Sequence, residues 1–439
     1  MSTVSYAEFR RAFDRYSADP IFRKAADAKE SMPGDDGEAV YRAVHSILYA
    51  QPAYGNIYFD EFVRRQDIVA AELEKRKSRE TDVNENLFRY EQLERNRAAT
   101  ECARIRAHKY ISYYPFAIEL SDGCRVQCPF CGLAAEKHKG DFLYTLENEE
   151  LFVDVVKVAL DLIGPIINFC PLYFATEPLD NPDYAKFLKT YSILTGGVPQ
   201  TTTAVADTAH DKVREMIKLV GETGFPASAA FRFSVRNLSQ FECMMREYSP
   251  RETEYIELLA NNPESVNAYS DSGKAQCLTK SPKKLKYSIC CISGLLVNFP
   301  KHTVSFITPE MPDEVYPKGY RILETRTFFD SSSFRVAAEE LLKRYVSTEP
   351  GKDEKMCLNR NTILTEDGGW YIFKGDGVGY RIQKNAFTDR MIRSVLNRSS
   401  FSESFENCRP DPEGESKLYE AYRVLFTKGY IRRYFAPMS

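Results

Sequence analysis

Three cysteines lie close together in the segment Cys124–Cys131, with the spacing C-x3-C-x2-C. Thiolates from one short loop can bind three irons of a [4Fe–4S] cluster, which leaves the fourth iron without a protein ligand. An open iron can bind the amino and carboxylate groups of S-adenosylmethionine. An electron from the cluster then cleaves the sulfonium and releases a 5′-deoxyadenosyl radical. The spacing therefore predicts Cys124, Cys128 and Cys131 as metal ligands.

A structural zinc site is the main alternative for these cysteines. Such sites usually have four ligands, often supplied by two C-x2-C pairs. The sequence contains no second pair, and of its five histidines only His138 is nearby. A redox-active C-x2-C pair leaves Cys124 unexplained. A binding protein with a structural metal and no turnover remains an open alternative.

The sequence around the cysteines alternates between short apolar runs and amphipathic segments. Strands are predicted at 116–120, 167–176, 201–206 and 229–235, and helices at 149–163, 182–194 and 211–220. Such alternation implies parallel strands joined by right-handed crossovers. It predicts an α/β fold with a full or partial (β/α) barrel, in which the cysteine segment follows the first strand at the face where barrel active sites are built. After residue 240 the repeat loosens, and 285–299 is predicted to form a hairpin with 303–308.

Changes in composition predict three regions: an N-terminal helical subdomain (1–111), the barrel (112–330) and a C-terminal α+β module (331–439). Apolar residues at helical spacing between 58 and 106 predict helices, and a partner-binding arm is the alternative. The C-terminal module is predicted to contain helices at 334–345, 386–396 and 416–430. Its strands, 362–373 and 378–382, are predicted to form a hairpin across 374–377.

The cysteine segment, with Phe130 directly before Cys131, resembles the radical S-adenosylmethionine superfamily over about residues 112–310. The stretches 119–132 and 174–184 are similar to the amino-acid epimerases that mature ribosomal peptides of the proteusin class. This resemblance implies conversion of L to D residues in a ribosomally made precursor peptide, with S-adenosylmethionine consumed as co-substrate. It also implies a cellular electron donor such as a flavodoxin or ferredoxin. The alternative is a maturase that forms thioether or carbon–carbon crosslinks.

The same resemblance implies four cofactor-binding residues. Phe130 belongs to the cysteine segment, and Glu177 keeps the acid of the superfamily's Gly-Gly-Glu segment while both glycines are replaced. That acid contacts the methionine ammonium, and the alternative is a helix-entry acid before Pro178. Ser234 and Arg236 lie two residues apart and therefore share a strand face. The resemblance assigns them to the methionine carboxylate, for which arginine is the natural bidentate partner; the alternative is a solvated strand-end arginine.

An epimerase needs one further cysteine, because a thiol returns hydrogen to the opposite face of a planar Cα radical. The sequence favours Cys357 and Cys291 almost equally, followed by Cys290. Cys290 and Cys291 lie on a predicted strand, and alternation directs one of them inward. Cys357 precedes the C-terminal hairpin and can reach the barrel mouth from a loop. For each, a small buried apolar residue is the alternative role.

The C-terminal segment resembles a small winged-helix module that recognises peptides. Such modules bind a leader peptide as an added strand at a sheet edge. This would suit a maturase that holds one end of a long substrate and modifies the other. The alternative is a cap that completes the barrel.

Composition excludes several other classes of protein. With 59 Lys and Arg against 62 Asp and Glu, the formal net charge is −3, so no bulk nucleic-acid binding is expected. No apolar run is long enough to span a membrane, and the N-terminal residues do not resemble a signal peptide. Eleven cysteines, an odd number, argue against a disulfide framework. A cytoplasmic protein without nucleic-acid or membrane partners is therefore expected.

Overall fold

The computed structural model describes residues 6–28, 85–87, 89–90, 93–94, 113–222, 231–253, 256–267, 269–278, 284–285, 288–360, 362–374 and 379–435. Most of the predicted N-terminal subdomain, 1–111, lies outside this set, and so does most of the helical run predicted between 58 and 106. The described residues between 85 and 94 are helical. The three predicted domain boundaries stay a prediction.

The helices in the described residues include the six predicted after residue 112, each within a few residues of its expected bounds, and two that were not predicted, at 238–247 and 250–253. The helices are α1 (Tyr6–Ala18), α2 (Pro20–Asp27), α3 (Leu146–Ile163), α4 (Tyr184–Thr195), α5 (His210–Glu222), α6 (Leu238–Glu247), α7 (Pro250–Thr253), α8 (Ser331–Tyr345), α9 (Ala386–Leu396) and α10 (Pro412–Thr427). Local capping defines their ends. The Thr145 hydroxyl accepts a hydrogen bond from the Asn148 amide at the start of α3, and Gly196 ends α4 in the left-handed conformation. None of the described helices is long and apolar enough to cross a membrane.

Most of the described strands are short. They are β1 (Tyr114–Glu119), β2 (Ser121–Asp122), β3 (Gly140–Asp141), β4 (Thr201–Thr203), β5 (Phe231–Val235), β6 (Ile256–Ala260), β7 (Tyr269–Ser270), β8 (Lys284–Leu285), β9 (Ile292–Asn298), β10 (Thr303–Pro309), β11 (Tyr320–Thr327), β12 (Met356–Leu358), β13 (Ile363–Asp367), β14 (Trp370–Lys374), β15 (Gly379–Gln383) and β16 (Ile431–Arg433). One sheet has the order β1-β9-β10-β11, with β1 parallel to β9. A second, parallel sheet has the order β4-β5-β6. The predicted hairpin is confirmed as β9 and β10, although its first strand begins later than expected.

The α/β class is confirmed, but the described strands do not close a barrel. The strand predicted at 167–176 is wrong: Pro165–Phe169 forms a 3-10 helix and the following residues are irregular. Pro171 has no N–H to donate to a strand ladder, and its carbonyl only accepts a hydrogen bond from the Ile118 amide (3.0 Å). The segment that was expected to pair with both β1 and β4 is therefore irregular, and among the described residues the two sheets remain separate.

Alternating side chains give the two sheets an outer and an inner face. The outer face carries residues such as Phe116, Ile118, Phe231 and Phe233, which are buried together with residues of the helices in the main apolar core. The inner face carries the residues between them, such as Ala117 of β1 and Arg232 of β5. Loops that follow the strands meet over this inner face.

The C-terminal module forms a second apolar core, which includes Phe373 and Tyr422. The single strand predicted at 362–373 is instead two strands, β13 and β14, joined by a turn at Gly368 and Gly369. Both glycines have positive φ, the geometry that tight hairpin turns require. β14 pairs with β15 as predicted, while residues 375–377 of the expected turn lie outside the described part. β12 pairs with β16.

Candidate active site

The three clustered cysteines lie on a loop that we call the cysteine loop, residues 123–138, which follows β1 and β2. Its two ends are joined: the Cys124 amide donates to the Glu136 carbonyl (2.9 Å). Gly123 has a φ of 80°, and a Cβ at this position would collide with the Lys137 carbonyl. A glycine is therefore required where the loop leaves the sheet.

Gln127 holds the middle of the cysteine loop in place. Its backbone has a positive φ of 50°, and its amide nitrogen donates to the carbonyls of Cys124 (2.6 Å) and Glu136 (2.7 Å). Its amide oxygen accepts from the Lys274 ammonium at 2.6 Å. One side chain therefore spans the loop and ties it to the segment that follows β7.

The second half of the cysteine loop rests directly on that segment. The Lys274 amide donates to the Cys131 carbonyl (2.9 Å), and the Ala135 amide approaches the Cys131 sulfur (3.5 Å). Gly132 and Gly273 face each other so closely that a Cβ on either would collide with its neighbours. The loop conformation is fixed by backbone contacts rather than by its thiols.

Cys124, Cys128 and Cys131 are free and partly buried. Burial raises the pKa of the Cys128 thiol to about 12, and the neighbouring Cys124 and Cys131 add to this effect. Three thiolates this close therefore require a compensating positive charge, which an iron–sulfur cluster or another metal would provide. No group of three His, Cys, Asp or Glu side chains within the described residues is gathered as a finished metal site. The donor set fits the implied cluster by ligand type and spacing.

Glu177 lies beside the cysteine loop and contributes to the electrostatic environment of Cys124 and Cys128. It is buried, and its carboxylate accepts from the Thr203 hydroxyl (2.7 Å) and from the amides of Ala204 (2.9 Å) and Leu179 (3.2 Å). Burial raises its pKa to about 7, while these three hydrogen bonds oppose the increase. Glu177 therefore also acts as the acid that caps the short 3-10 helix Pro178–Asp180. A carboxylate has about four acceptor positions, so one remains for an ammonium group.

Arg236 follows β5 and lowers the pKa of Cys128, against the dominant effect of burial. Its guanidinium lies 3.7 Å from the nearer Asp207 oxygen, a long ion pair. Its Nε is buried and has no hydrogen-bond partner among the described residues. A guanidinium with an unused donor beside the cysteine loop is suited to an anionic ligand.

Phe130 and Ser234 are connected by a short chain of contacts. The Phe130 ring stacks on Tyr269, with centroids 5.9 Å apart and planes at 9°. The Tyr269 hydroxyl donates to the Asn261 carbonyl (2.6 Å), and the Asn261 amide donates to the Ser234 hydroxyl (3.0 Å). The four predicted cofactor-binding residues therefore surround one region, although none of the four roles is tested by these contacts.

Two of the three candidate donor cysteines lie on the inner face. Cys290 is buried in an apolar cluster with Phe174, and Leu133 of the cysteine loop packs against the same cluster. The Cys290 sulfur donates to the Ile292 carbonyl (3.4 Å). Cys291 packs on this cluster but is only partly buried, and burial raises the pKa of its thiol while Arg232 opposes that effect.

Cys357 lies elsewhere, in β12. It lines a cavity of about 340 Å³ between the C-terminal module and the loop 311–319. The lining of this cavity includes no residue of the cysteine loop. The structure therefore brings Cys290 and Cys291, but not Cys357, to the inner face beneath the cysteine loop.

Sequence reasoning missed several residues of the site. Arg232 shares the face of Ser234 and Arg236, and it donates to the Thr202 hydroxyl (2.9 Å) and the Tyr173 hydroxyl (3.1 Å). Extending the same alternation two residues back along β5 would have identified it. Gln127 and Lys274 carry no comparable signal, because they lie far apart in the sequence and are brought to each other, and to the loop carbonyls, only by the fold.

Comparisons with known proteins give limited support. No protein-family model matches the chain. The uncharacterized protein y4wI of Sinorhizobium fredii (strain NBRC 101917 / NGR234) is 30% identical over 282 residues, which are 62% of this chain and 54% of that protein. The chain thus spans about half the length of this curated relative. The crystal structure of BtrN in complex with AdoMet and 2-DOIA aligns with a TM-score of 0.28 and 12% identity, over 44% of this chain and 72% of that one. A score of this size does not establish a shared fold.

Proposed function

We propose that the chain is a radical S-adenosylmethionine enzyme whose Cys124, Cys128 and Cys131 hold a [4Fe–4S] cluster. The observation that carries this proposal is a braced C-x3-C-x2-C loop with three free thiols, beside which lie the acid Glu177 and the cation Arg236. When bound, the cluster and S-adenosylmethionine together supply hydrogen-atom abstraction. The protein supplies the cluster ligands, the groups that bind S-adenosylmethionine and the inner face on which the peptide is modified.

In this proposal each polar residue has one task. Arg236 binds the methionine carboxylate through its unused Nε–H, and Glu177 accepts from the methionine ammonium with its remaining lone pair. Both are charge-assisted hydrogen bonds, which are about twice as strong as neutral ones. Phe130 and Ser234 lie at the two ends of the contact chain through Tyr269, and they border the same space.

The proposed substrate is a ribosomally made precursor peptide, in which L residues become D residues. The Cα–H bond breaks as hydrogen leaves one face, and a thiol S–H bond breaks as hydrogen joins the other face. The resulting sulfur radical regains one electron and one proton, with the electron from a donor such as a flavodoxin or ferredoxin. We favour Cys291 as this thiol because it is partly exposed on the inner face and its raised pKa keeps it protonated.

A leader segment of the precursor would bind to the three-stranded sheet of the C-terminal module. Among the described residues β13 pairs only with β14, and its side chains are mostly exposed. An open strand of this kind can accept a peptide as an additional strand. This contact would hold one end of the peptide while another part reaches the inner face.

Anaerobic reconstitution followed by peptide mass spectrometry tests the proposal. The full chain is loaded with iron and sulfide and reduced. It is then incubated in deuterated buffer with S-adenosylmethionine and the precursor peptide that is encoded beside its gene. We expect about four irons per chain, formation of 5′-deoxyadenosine, and one solvent deuterium at the Cα of each modified residue. Colourless protein with stoichiometric zinc and no S-adenosylmethionine cleavage would contradict the proposal. Loss of hydrogens without deuterium uptake would instead identify the crosslinking maturase.

A further inference from the structure

The cavity beside Cys357 has a strongly basic wall. It lies between the C-terminal module and the loop 311–319, and its volume is about 340 Å³. Among the described residues that line it none is acidic, whereas five are arginines: Arg321, Arg360, Arg398, Arg432 and Arg433.

Carboxylates behind the wall neutralise only part of this charge. Glu310 pairs with Arg432 (2.6 Å) and with Arg321 (3.6 Å), and it has no exposed side-chain surface. Asp313 pairs with Arg360, and Glu354 pairs with Arg433. Among the described residues three carboxylates therefore face five guanidinium groups, which leaves a positive excess within this part of the chain.

Arg398 has donors that the described residues leave unused, and the Arg321 Nε has only its long 3.6 Å contact with Glu310. Arg398 donates to the Tyr434 hydroxyl (3.3 Å) and lies over its ring, and it has no carboxylate partner within the described residues. The Arg321 side chain is only 10% exposed, and its Nε forms no hydrogen bond among those residues. A donor that is removed from water gains more from an incoming anion than an exposed one does.

Apolar side chains border the same cavity. Val315 and Leu396 line the cavity, and each is 53% exposed. A ligand that covers them and also reaches the arginines must combine apolar and acidic groups. A free inorganic anion has no group to cover Val315 or Leu396.

We propose that this cavity binds a peptide segment that carries glutamate or aspartate together with apolar side chains. Planar guanidinium groups bind carboxylates through paired hydrogen bonds, which gives such a segment both affinity and register. The loop 311–319 also contacts the bracing segment of the cysteine loop, because the Gly273 amide donates to the Pro317 carbonyl (2.6 Å). The cavity is therefore linked to that bracing segment through the loop 311–319. This inference does not depend on the radical chemistry, because binding is measured without turnover.

Fluorescence anisotropy with the full chain tests the inference. The probes are a short fluorescein-labelled peptide rich in glutamate and leucine, and its counterpart with glutamine in place of glutamate. We expect the glutamine peptide to bind at least about tenfold more weakly, and the affinity of the glutamate peptide to fall as salt increases. Arg398→Glu should lower that affinity about tenfold or more, and Arg398→Lys should restore part of it.

Matched controls separate the cavity from general surface charge. Arg246→Glu changes an exposed arginine of α6, outside the cavity, and should leave binding unchanged. Leu396→Ser should weaken binding of the glutamate peptide, because it removes an apolar contact. Equal binding of the two peptides, or equal effects of Arg398→Glu and Arg246→Glu, would overturn the proposal. Inorganic phosphate that binds in the cavity while the glutamate peptide does not would also overturn it, in favour of a small-anion site.

Discussion

The two sheets present inner faces of different character. In the four-stranded sheet Ala117, Leu296 and Ile307 pack on this face with Phe174 and Cys290, and its end carries a buried polar pair, Glu119 and Asn298. In the three-stranded sheet the corresponding residues are polar: Arg232 donates to the Thr202 hydroxyl, Ser234 accepts from the Asn261 side-chain amide, and Glu257 acts on Arg232 through its charge. The outer faces show no such difference, because both contribute to one apolar core.

We call the inner face of the four-stranded sheet the apolar half and that of the three-stranded sheet the polar half. Their difference in composition suits them to separate tasks. The cysteine loop contacts both halves. Leu133 packs on the apolar half, and the charge of Arg236, at the end of the polar half, lowers the pKa of Cys128. An ionic cofactor is best bound by polar groups that already hold unused donors and acceptors. A hydrogen-donating thiol is best kept in apolar surroundings, where it remains protonated. The predictions below test this division.

The largest effect is expected where the two halves meet. Cys128→Ala removes one of three proposed ligands and should lower bound iron to background and formation of 5′-deoxyadenosine about 100-fold or more. Iron analysis and chromatography of the nucleoside measure these outcomes. The matched control is Cys408→Ala, an exposed cysteine of the C-terminal module. A Cys128→Ala protein that retained full iron and cleavage would remove the cysteine loop from the chemistry.

Cys291→Ala tests the apolar half alone. Cleavage of S-adenosylmethionine should continue, while deuterium uptake into the peptide is lost, because the hydrogen-returning thiol is absent. Mass spectrometry of the peptide and quantification of 5′-deoxyadenosine separate the two outcomes. Cys357→Ala is the paired variant, since this thiol lies in the arginine-walled cavity. Loss of uptake in Cys357→Ala with normal uptake in Cys291→Ala would reverse the assignment and place the donor outside the inner face.

Arg236→Leu tests the polar half. The loss of a hydrogen bond between charged partners costs about 1.5–3 kcal/mol, so the KM for S-adenosylmethionine should rise about 10- to 100-fold. The kcat should change less, because the cluster ligands are intact. Initial rates at varied S-adenosylmethionine measure both parameters, with Arg246→Leu as the exposed control. An unchanged KM would mean that the Arg236 side chain serves only its ion pair with Asp207.

The sequence predicted most of the helices and strands that form the site, but not the difference between the inner faces of the two sheets. Strand alternation placed Ser234 and Arg236 on one face, and cysteine spacing identified the loop, since both are local patterns. The irregular path at 170–176 was missed because apolar composition alone cannot show that Pro171 interrupts a ladder. The separation of Cys357 from Cys291 was also missed, because it depends on how the C-terminal module packs, which no local pattern encodes.

The smallest expected effect is that of the buried Asp14 carboxyl on the free energy of unfolding. Asp14 of α1 is 3% exposed, and burial raises its pKa to about 6 although Arg10 opposes this; Glu257 of β6 adds to the increase. The folded protein therefore keeps this proton while the unfolded chain loses it above about pH 4. The free energy of unfolding should fall as pH rises from about 4 to 6, by at most about 3 kcal/mol, and this contribution should be constant outside that range.

Asp14→Asn isolates this contribution from those of all other carboxyl groups. Asparagine does not titrate, so the difference in unfolding free energy between the wild type and Asp14→Asn should change between pH 4 and pH 6. Denaturant unfolding at several pH values measures it. The control is Asp211→Asn in α5, which removes an exposed carboxyl by the same substitution. A flat difference for Asp14→Asn would show that water reaches this carboxyl in the folded protein.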